Sequence, residues 1–314
     1  MVGGKVARVT AHATGWRALE FFAGIGGFAS AWENCEIAGA IDIDQMARRI
    51  YQLNHPGPYT TAEIGSLDPA WIVRQSANLW WLSPPCQPFT RRGKQRDVAD
   101  SRTAPLLQLI QWLPRILPQA IVLENVIGFE ASRAWQLFRD ALERAGYVTS
   151  VRQLCPTELG WPNRRPRFYA IASLAEIAAW RPLPCYALDL AQVLGADDAA
   201  PDGYWLTTDE VNRFGSAMDR IDLCDARAVA ACQTSSYGKA LLRAGSFVIQ
   251  AGRLRRLTPR EVAKLLGYSN AFRWPADATD RRLWKLLGNS LSLPAVRYIL
   301  SHLPHGPAPM IPWP

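Results

Sequence analysis

The chain has 314 residues, of which 49% are hydrophobic and 20% charged, and its formal net charge is +8. That length can bury a large core, and that hydrophobic share excludes a generally disordered chain. Six cysteines with no C-x-x-C pair, and no cysteine–histidine cluster at zinc spacing, exclude a disulfide scaffold and a structural zinc site. The opening residues lack the apolar run of a signal peptide, and no stretch reaches transmembrane length. The expectation is a cytoplasmic protein with reduced thiols, no membrane partner and no metal. The basic excess, mostly Arg, suits a polyanionic partner, although an ordinary basic enzyme could also carry it.

In chain order, residues 17–22 read as a short apolar strand running into the glycine cluster Gly24, Gly26 and Gly27. A helical pattern follows to Trp32. Residues 37–43 then read as a second strand, with Asp42 and Asp44 at its end. Strand, glycine turn, helix, strand and acid open a nucleotide-binding βαβ unit. Residues 79–82 are a third strand, broken by Pro84-Pro85. Residues 104–117 are helical, 120–123 form a fourth strand that closes on Glu124-Asn125, and 131–145 form a helix ended by Gly146. Residues 148–154 and 168–172 read as strands. This alternation predicts an α/β, Rossmann-like, doubly wound and mostly parallel sheet. Composition shifts over 181–205, rich in Pro, Ala and Asp. The division expected is a larger domain of 1–180 plus 276–314 and a small domain of 181–275. The small domain holds a strand at 246–250 and a helix at 259–267, and the last helix begins near Leu293-Pro294.

Several short segments carry chemistry. The turn from Phe22 to Gly27 lets the backbone approach a ligand closely, and Asp42 at the next strand end can accept both hydroxyls of a ribose. Asp44 fits a helix cap better. Ser83-Pro84-Pro85-Cys86 places a thiol in a rigid loop at the carboxyl edge of the sheet, where α/β proteins put their sites. Arg91, Arg92, Lys94 and Arg96 follow at once; they suit a phosphate backbone and favour a thiolate, or form a plain solvated loop. Glu124 at a strand end suits proton donation or hydrogen bonding. Arg165 and Arg167 alternate on entry to a strand, which puts both on one side, ready for an anion or a surface pair. Gly288-Asn289-Ser290 is a turn before a helix.

Taken in order, FFAGIGGF, SPPCQPFTR, LENVIGFE, NRRPRF, RRLTPREVAKLLGY and LLGNSLSLPAV resemble the C5-cytosine methyltransferase family over most of the chain. The resemblance implies a class I methyltransferase fold with a small target-recognition domain. It implies a donor, S-adenosyl-L-methionine, released as S-adenosyl-L-homocysteine. Phe22, Gly24, Gly26, Gly27 and Pro84 would line the donor pocket, Asp42 would hold the ribose and Ile43 the adenine, and Asn289 and Ser290 would close the pocket. Cys86 would add to C6 of cytosine, and Glu124 would bind N3 and the exocyclic amine. Arg165 would orient the base and Arg167 would support the loop.

The stretch F-T-R-x-G-x-Q-x-D then D-S-R-T, spanning residues 89–103, is similar to the small tRNA-Asp-methylating branch, which implies an anticodon-loop cytosine. That branch carries Cys-Phe-Thr in its small domain, where Cys232-Gln233-Thr234 stands here; Cys232, Thr234 and Lys239 would join Arg91, Arg92, Lys94 and Arg96 on the nucleic acid. A DNA methyltransferase of restriction-modification or orphan type is the alternative, and an inactive nucleic-acid-binding protein on the same fold is the more remote one. The enzyme is expected to act as a monomer.

Overall fold

A computed structural model describes residues 7–8, 15–90, 96–183, 186–195 and 202–308. The first unit comprises Met1–Leu154, Pro166–Arg181 and Arg297–Pro314. In chain order its main elements are β1 (Arg17–Phe21), α1 (Gly27–Ala31), β2 (Glu36–Asp42), α2 (Gln45–Asn54), β3 (Tyr59–Thr61), α3 (Pro69–Arg74), β4 (Leu79–Leu82), α4 (Ala104–Trp112), β5 (Ala120–Asn125), α5 (Arg133–Arg144), β6 (Val148–Leu154) and β7 (Arg167–Ser173). Seven strands form one sheet in the order β3-β2-β1-β4-β5-β7-β6. The five from β3 to β5 are parallel, and β7 runs antiparallel to both of its neighbours.

Burial explains the strand sequences. All four residues of β4, Leu-Trp-Trp-Leu, are buried, as expected of a parallel strand covered on both faces. Trp80 meets the edge of Phe21 at 5.2 Å, while Trp81 stacks on Phe28 of α1 at 5.3 Å. Successive side chains point to opposite faces, so the two indoles seal both sides of the sheet. The chain runs outward from β1 to β2 and β3, then returns to the other flank of β1 as β4. That reversal makes a crevice beyond the carboxyl ends of β1 and β4, the usual place for a ligand in such a sheet.

The boundaries have local causes. Asp44 caps α2, accepting from Met46 N and Ala47 N at 3.0 Å each, the role its position suggested. The helix read as 104–117 ends at Trp112: Leu113 still has helical backbone, but Pro114 has no N–H to carry the ladder further. No element is expected from the sequence over α2, β3 and α3; β3 is a three-residue edge strand, too short to show a period.

The second unit comprises Cys155–Arg165 and Pro182–Val296. It holds α6 (Leu190–Leu194), α7 (Thr208–Phe214), β8 (Asp219–Asp222), β9 (Ser246–Gln250), β10 (Arg253–Arg256), α8 (Pro259–Leu266) and α9 (Asp280–Gly288); α10 (Leu293–Leu300) begins in it. β8, β9 and β10 form a three-stranded sheet in that order. Arg255 is buried and makes a two-point pair with Glu261 at 2.8 and 2.9 Å. Residues 276–296, expected with the larger domain, lie in this unit. Trp284 of α9 is the reason: its indole donates to Leu257 O at 3.0 Å and meets the ring of Tyr237. Residues 155–165 also lie here, held by the Trp161 indole on Leu265 O at 2.7 Å.

Candidate active site

The turn after β1 has three left-handed residues in five: Phe22 (φ 59°), Gly24 (53°) and Gly26 (88°). Glycine adopts this backbone readily, but at Phe22 it costs about 1–3 kcal/mol and must be held by its surroundings. Asp42 at the end of β2 does part of that. Its Oδ2 accepts from Gly24 N at 2.8 Å and its Oδ1 from Asp44 N at 2.9 Å. Burial raises the Asp42 carboxyl above the usual carboxylate range, and these two amides pull it partly back. An ionised carboxylate offers about four lone-pair sites, so acceptor capacity remains. A Cβ on Gly24 would meet nothing within 4 Å, so the backbone faces open space there. Ile43 is 71% exposed beside it, unusual for an isoleucine. Gly26 is packed instead, against His55 and Tyr51, and Gly27 starts α1 in a buried position.

The loop after β4 is tied to this turn. Ser83 Oγ donates to Phe22 O at 3.1 Å, and Asn125 Nδ2 at the end of β5 donates to buried Pro84 O at 3.1 Å. Cys86 is half-buried and begins the turn Gln87–Phe89, with Phe89 N donating to Cys86 O at 2.9 Å. Phe89 is buried edge-on against Phe129 at 4.8 Å. Together these contacts fix the thiol at the carboxyl edge. Arg102, which the sequence reading did not single out, stands near it. Asp100 grips its guanidinium from Nε at 2.8 Å and Nη2 at 2.7 Å. Those bonds chiefly hold Arg102 above its ordinary value, and Cys86 adds a smaller contribution. Of the four basic residues expected beside Cys86, Arg96 is exposed, and Arg91, Arg92 and Lys94 lie outside the described residues.

Glu124, the last residue but one of β5, is buried; its Oε1 pairs with Arg167 Nε at 3.1 Å. Because β7 is antiparallel, its first residue lies at the carboxyl edge of its neighbours, and this brings Arg167 to Glu124. The two arginines do not share one strand face, as the alternation suggested. Asn163–Arg164 pairs with Ala230–Ala231, and Arg165 and Pro166 interrupt the strand.

Arg165 belongs to the second unit and is only 3% exposed. Its Nη1 donates to Cys232 Sγ at 3.2 Å and to Gln233 O at 3.3 Å; its Nη2 donates to Gly288 O at 3.1 Å and to Ser290 O. It therefore ties two loops of that unit together. Ser290 is buried, with its hydroxyl 2.6 Å from Tyr268 Oη, whereas Asn289 is exposed at the end of α9. Gln233 is buried, so the departure from Cys-Phe-Thr is an interior change. Cys232 and Thr234 are half-buried and Lys239 is exposed.

Among the described residues no group of three His, Cys, Asp or Glu side chains is placed to hold a metal ion, and no helix is long and apolar enough to cross a membrane. Residues 16–185 and 207–305 match the family described as C-5 cytosine-specific DNA methylase. The chain is 30% identical, over 91% of its length and 96% of the relative's, to the tRNA (cytosine(38)-C(5))-methyltransferase of Schizosaccharomyces pombe. It is 27% identical, over 92% of its length and 96% of the relative's, to the Type II methyltransferase M.NlaX of Neisseria lactamica. The solved structure of the Entamoeba histolytica methyltransferase EhMeth superposes with a TM-score of 0.85 at 26% identity, covering 92% of this chain and 98% of that one. The chain belongs to the C-5 cytosine-specific DNA methylase family and is a cytosine-5 methyltransferase that takes a methyl donor and a nucleic acid substrate.

Proposed function

We propose that the donor is S-adenosylmethionine and that Cys86 activates the cytosine by adding to C6. The observation that carries this reading is the meeting, at the carboxyl edge of one sheet, of the turn gripped by Asp42, the Cys86 loop and the Glu124–Arg167 pair. The residues present fit such a donor. Asp42 keeps acceptor capacity for two ribose hydroxyls, exposed Ile43 suits the flat face of an adenine, and the space at Gly24 admits a ligand against the backbone. When bound, the donor supplies a methyl group on a sulfonium and departs as the thioether S-adenosylhomocysteine.

C5 of cytosine is a poor nucleophile. Attack of the Cys86 thiolate on C6 breaks the aromatic ring and makes C5 enamine-like, replacing one hard step by easier ones. Glu124 binds N3 and the exocyclic amine, where charge develops, and Arg167 holds Glu124 in place for that task. After C5 is methylated, loss of its proton and expulsion of Cys86 restore the ring. A duplex hides C6 within the stack, so the base must be flipped out or already unpaired.

For the substrate we infer a tRNA anticodon-loop cytosine. The pattern over residues 89–103 and the 30% identity to the yeast tRNA methyltransferase, against 27% to the Neisseria relative, support it. An anticodon loop also offers unstacked bases that a compact enzyme can reach. The Neisseria relative keeps duplex DNA as a second reading. We further propose that the enzyme acts as a monomer in the cytoplasm and uses no metal ion. With tritiated S-adenosylmethionine, tRNA should take up label and duplex DNA should not. Label confined to DNA overturns the tRNA reading.

A further inference from the structure

β1 carries an acid in a strand that is otherwise packed into the core: Glu20 is fully buried. It accepts a hydrogen bond from Tyr51 Oη of α2 at 2.9 Å. The edge of Tyr51 meets the ring of Tyr59 at 5.0 Å, and Tyr59 Oη donates to Gly24 O at 3.3 Å. Tyr51 also fills the space a Cβ on Gly26 would need. Tyr59 comes from the edge strand β3, two residues before Thr61, which pairs with Asp42. The Gly24 residue is thus held on both of its peptide groups, by Asp42 at its N–H and by Tyr59 at its carbonyl. A turn with three left-handed residues, one of them Phe22, needs such restraint to persist.

We propose that Tyr59, set by Tyr51 and Glu20 behind it, is a positioning residue for the methyl-donor site: it fixes the Gly24 carbonyl and so keeps the turn from Phe22 to Gly26 in its donor-binding form. The proposal rests on the reading of that turn as the donor site. Nothing in the mechanism uses Glu20, Tyr51 or Tyr59 directly, and none of them touches the reacting atoms. Their arrangement runs from the sheet core to a single peptide group of the turn, which is what a support for that turn requires.

Tyr59→Phe tests this with the least disturbance, since it keeps the ring and removes only the hydroxyl. In the full chain, KM for S-adenosylmethionine and the Kd of S-adenosylhomocysteine by calorimetry should rise by roughly three- to tenfold, the range for losing one hydrogen bond. The change should fall on donor KM rather than on kcat or on KM for nucleic acid. Tyr51→Phe should move donor KM in the same direction. Asp42→Ala separates the two ideas. If Asp42→Ala loses product binding while Tyr59→Phe binds like wild type, the positioning role is wrong and the donor reading stands. If Asp42→Ala binds like wild type, the donor reading itself falls. A Tyr59→Phe variant with a lower melting temperature and unchanged Kd also overturns the positioning role.

Discussion

Replacing Cys86 with alanine is expected to cut methyl transfer by on the order of 10⁴- to 10⁶-fold, the scale on which enzymes lose rate with their nucleophile. The size follows from the chemistry. Without addition at C6, C5 stays part of an aromatic ring and has little tendency to attack a methyl group. Phe89, Ser83 and Asn125 hold the loop from outside the thiol, so the fold and the donor turn should survive the change. Binding of S-adenosylhomocysteine and of nucleic acid should therefore persist. A second readout is direct. Nucleic acid bearing 5-fluorocytosine cannot lose a C5 proton, so the wild-type enzyme should stay covalently attached to it and the alanine variant should not. Methylation by Cys86→Ala at the wild-type rate would refute covalent catalysis through this residue.

Glu20→Gln is expected to stabilise the protein at alkaline pH and to lose that advantage at acid pH. Burial pushes the Glu20 carboxyl up to about 8, with the Tyr51 hydrogen bond pulling it partly back, against 4.5 for the unperturbed group. The sign is fixed by which state holds the proton. Between these values the unfolded chain has lost it and the folded chain has kept it, so stability falls as pH rises through this window, by about 1.4 kcal/mol for each pH unit. By pH 8 the acid costs several kcal/mol. Glutamine is neutral, has the same shape and still accepts from Tyr51, but its extra N–H groups need partners, at about 1–3 kcal/mol. The net gain at pH 8 should be about 2–4 kcal/mol, whereas at pH 4.5 the variant should be less stable than wild type by about 1–2 kcal/mol. Melting curves of both proteins across that range test it: wild type should lose stability on alkalinisation, and Glu20→Gln should lose much less. Parallel curves would mean that Glu20 does not carry a proton in the folded protein.

The parts of this molecule legible in the sequence are those set by short-range chemistry. Glycines that accept left-handed backbone, an acid closing β2, prolines bracketing Cys86 and Glu124 closing β5 all sit within a few residues of the strand ends they mark. The parts that escaped depend on distant partners. Tyr59 matters because a three-residue edge strand sets it beside Gly24, and three residues carry no period. Arg102 gains its meaning from Asp100 and from the fold of the segment after Cys86. Arg165 and Arg167 looked equivalent because alternation assumed a single strand, yet Asn163–Arg164 pairs with Ala230–Ala231, 67 residues on. α9 looked like part of the larger domain until Trp284 showed where it is anchored.

The antiparallel placement of β7 has a consequence for how this chain tolerates changes in length. Surface loops usually absorb insertions cheaply, since closing a longer loop costs little. Between Arg165 and Arg167 there is a single residue, Pro166, joining a guanidinium fixed by four acceptors to one fixed by Glu124. One added or deleted residue within the first positions of β7 would exchange the two faces of the strand and turn the arginine away from its carboxylate. Length variation among sequences of this kind should therefore stop abruptly at the join between Pro166 and β7.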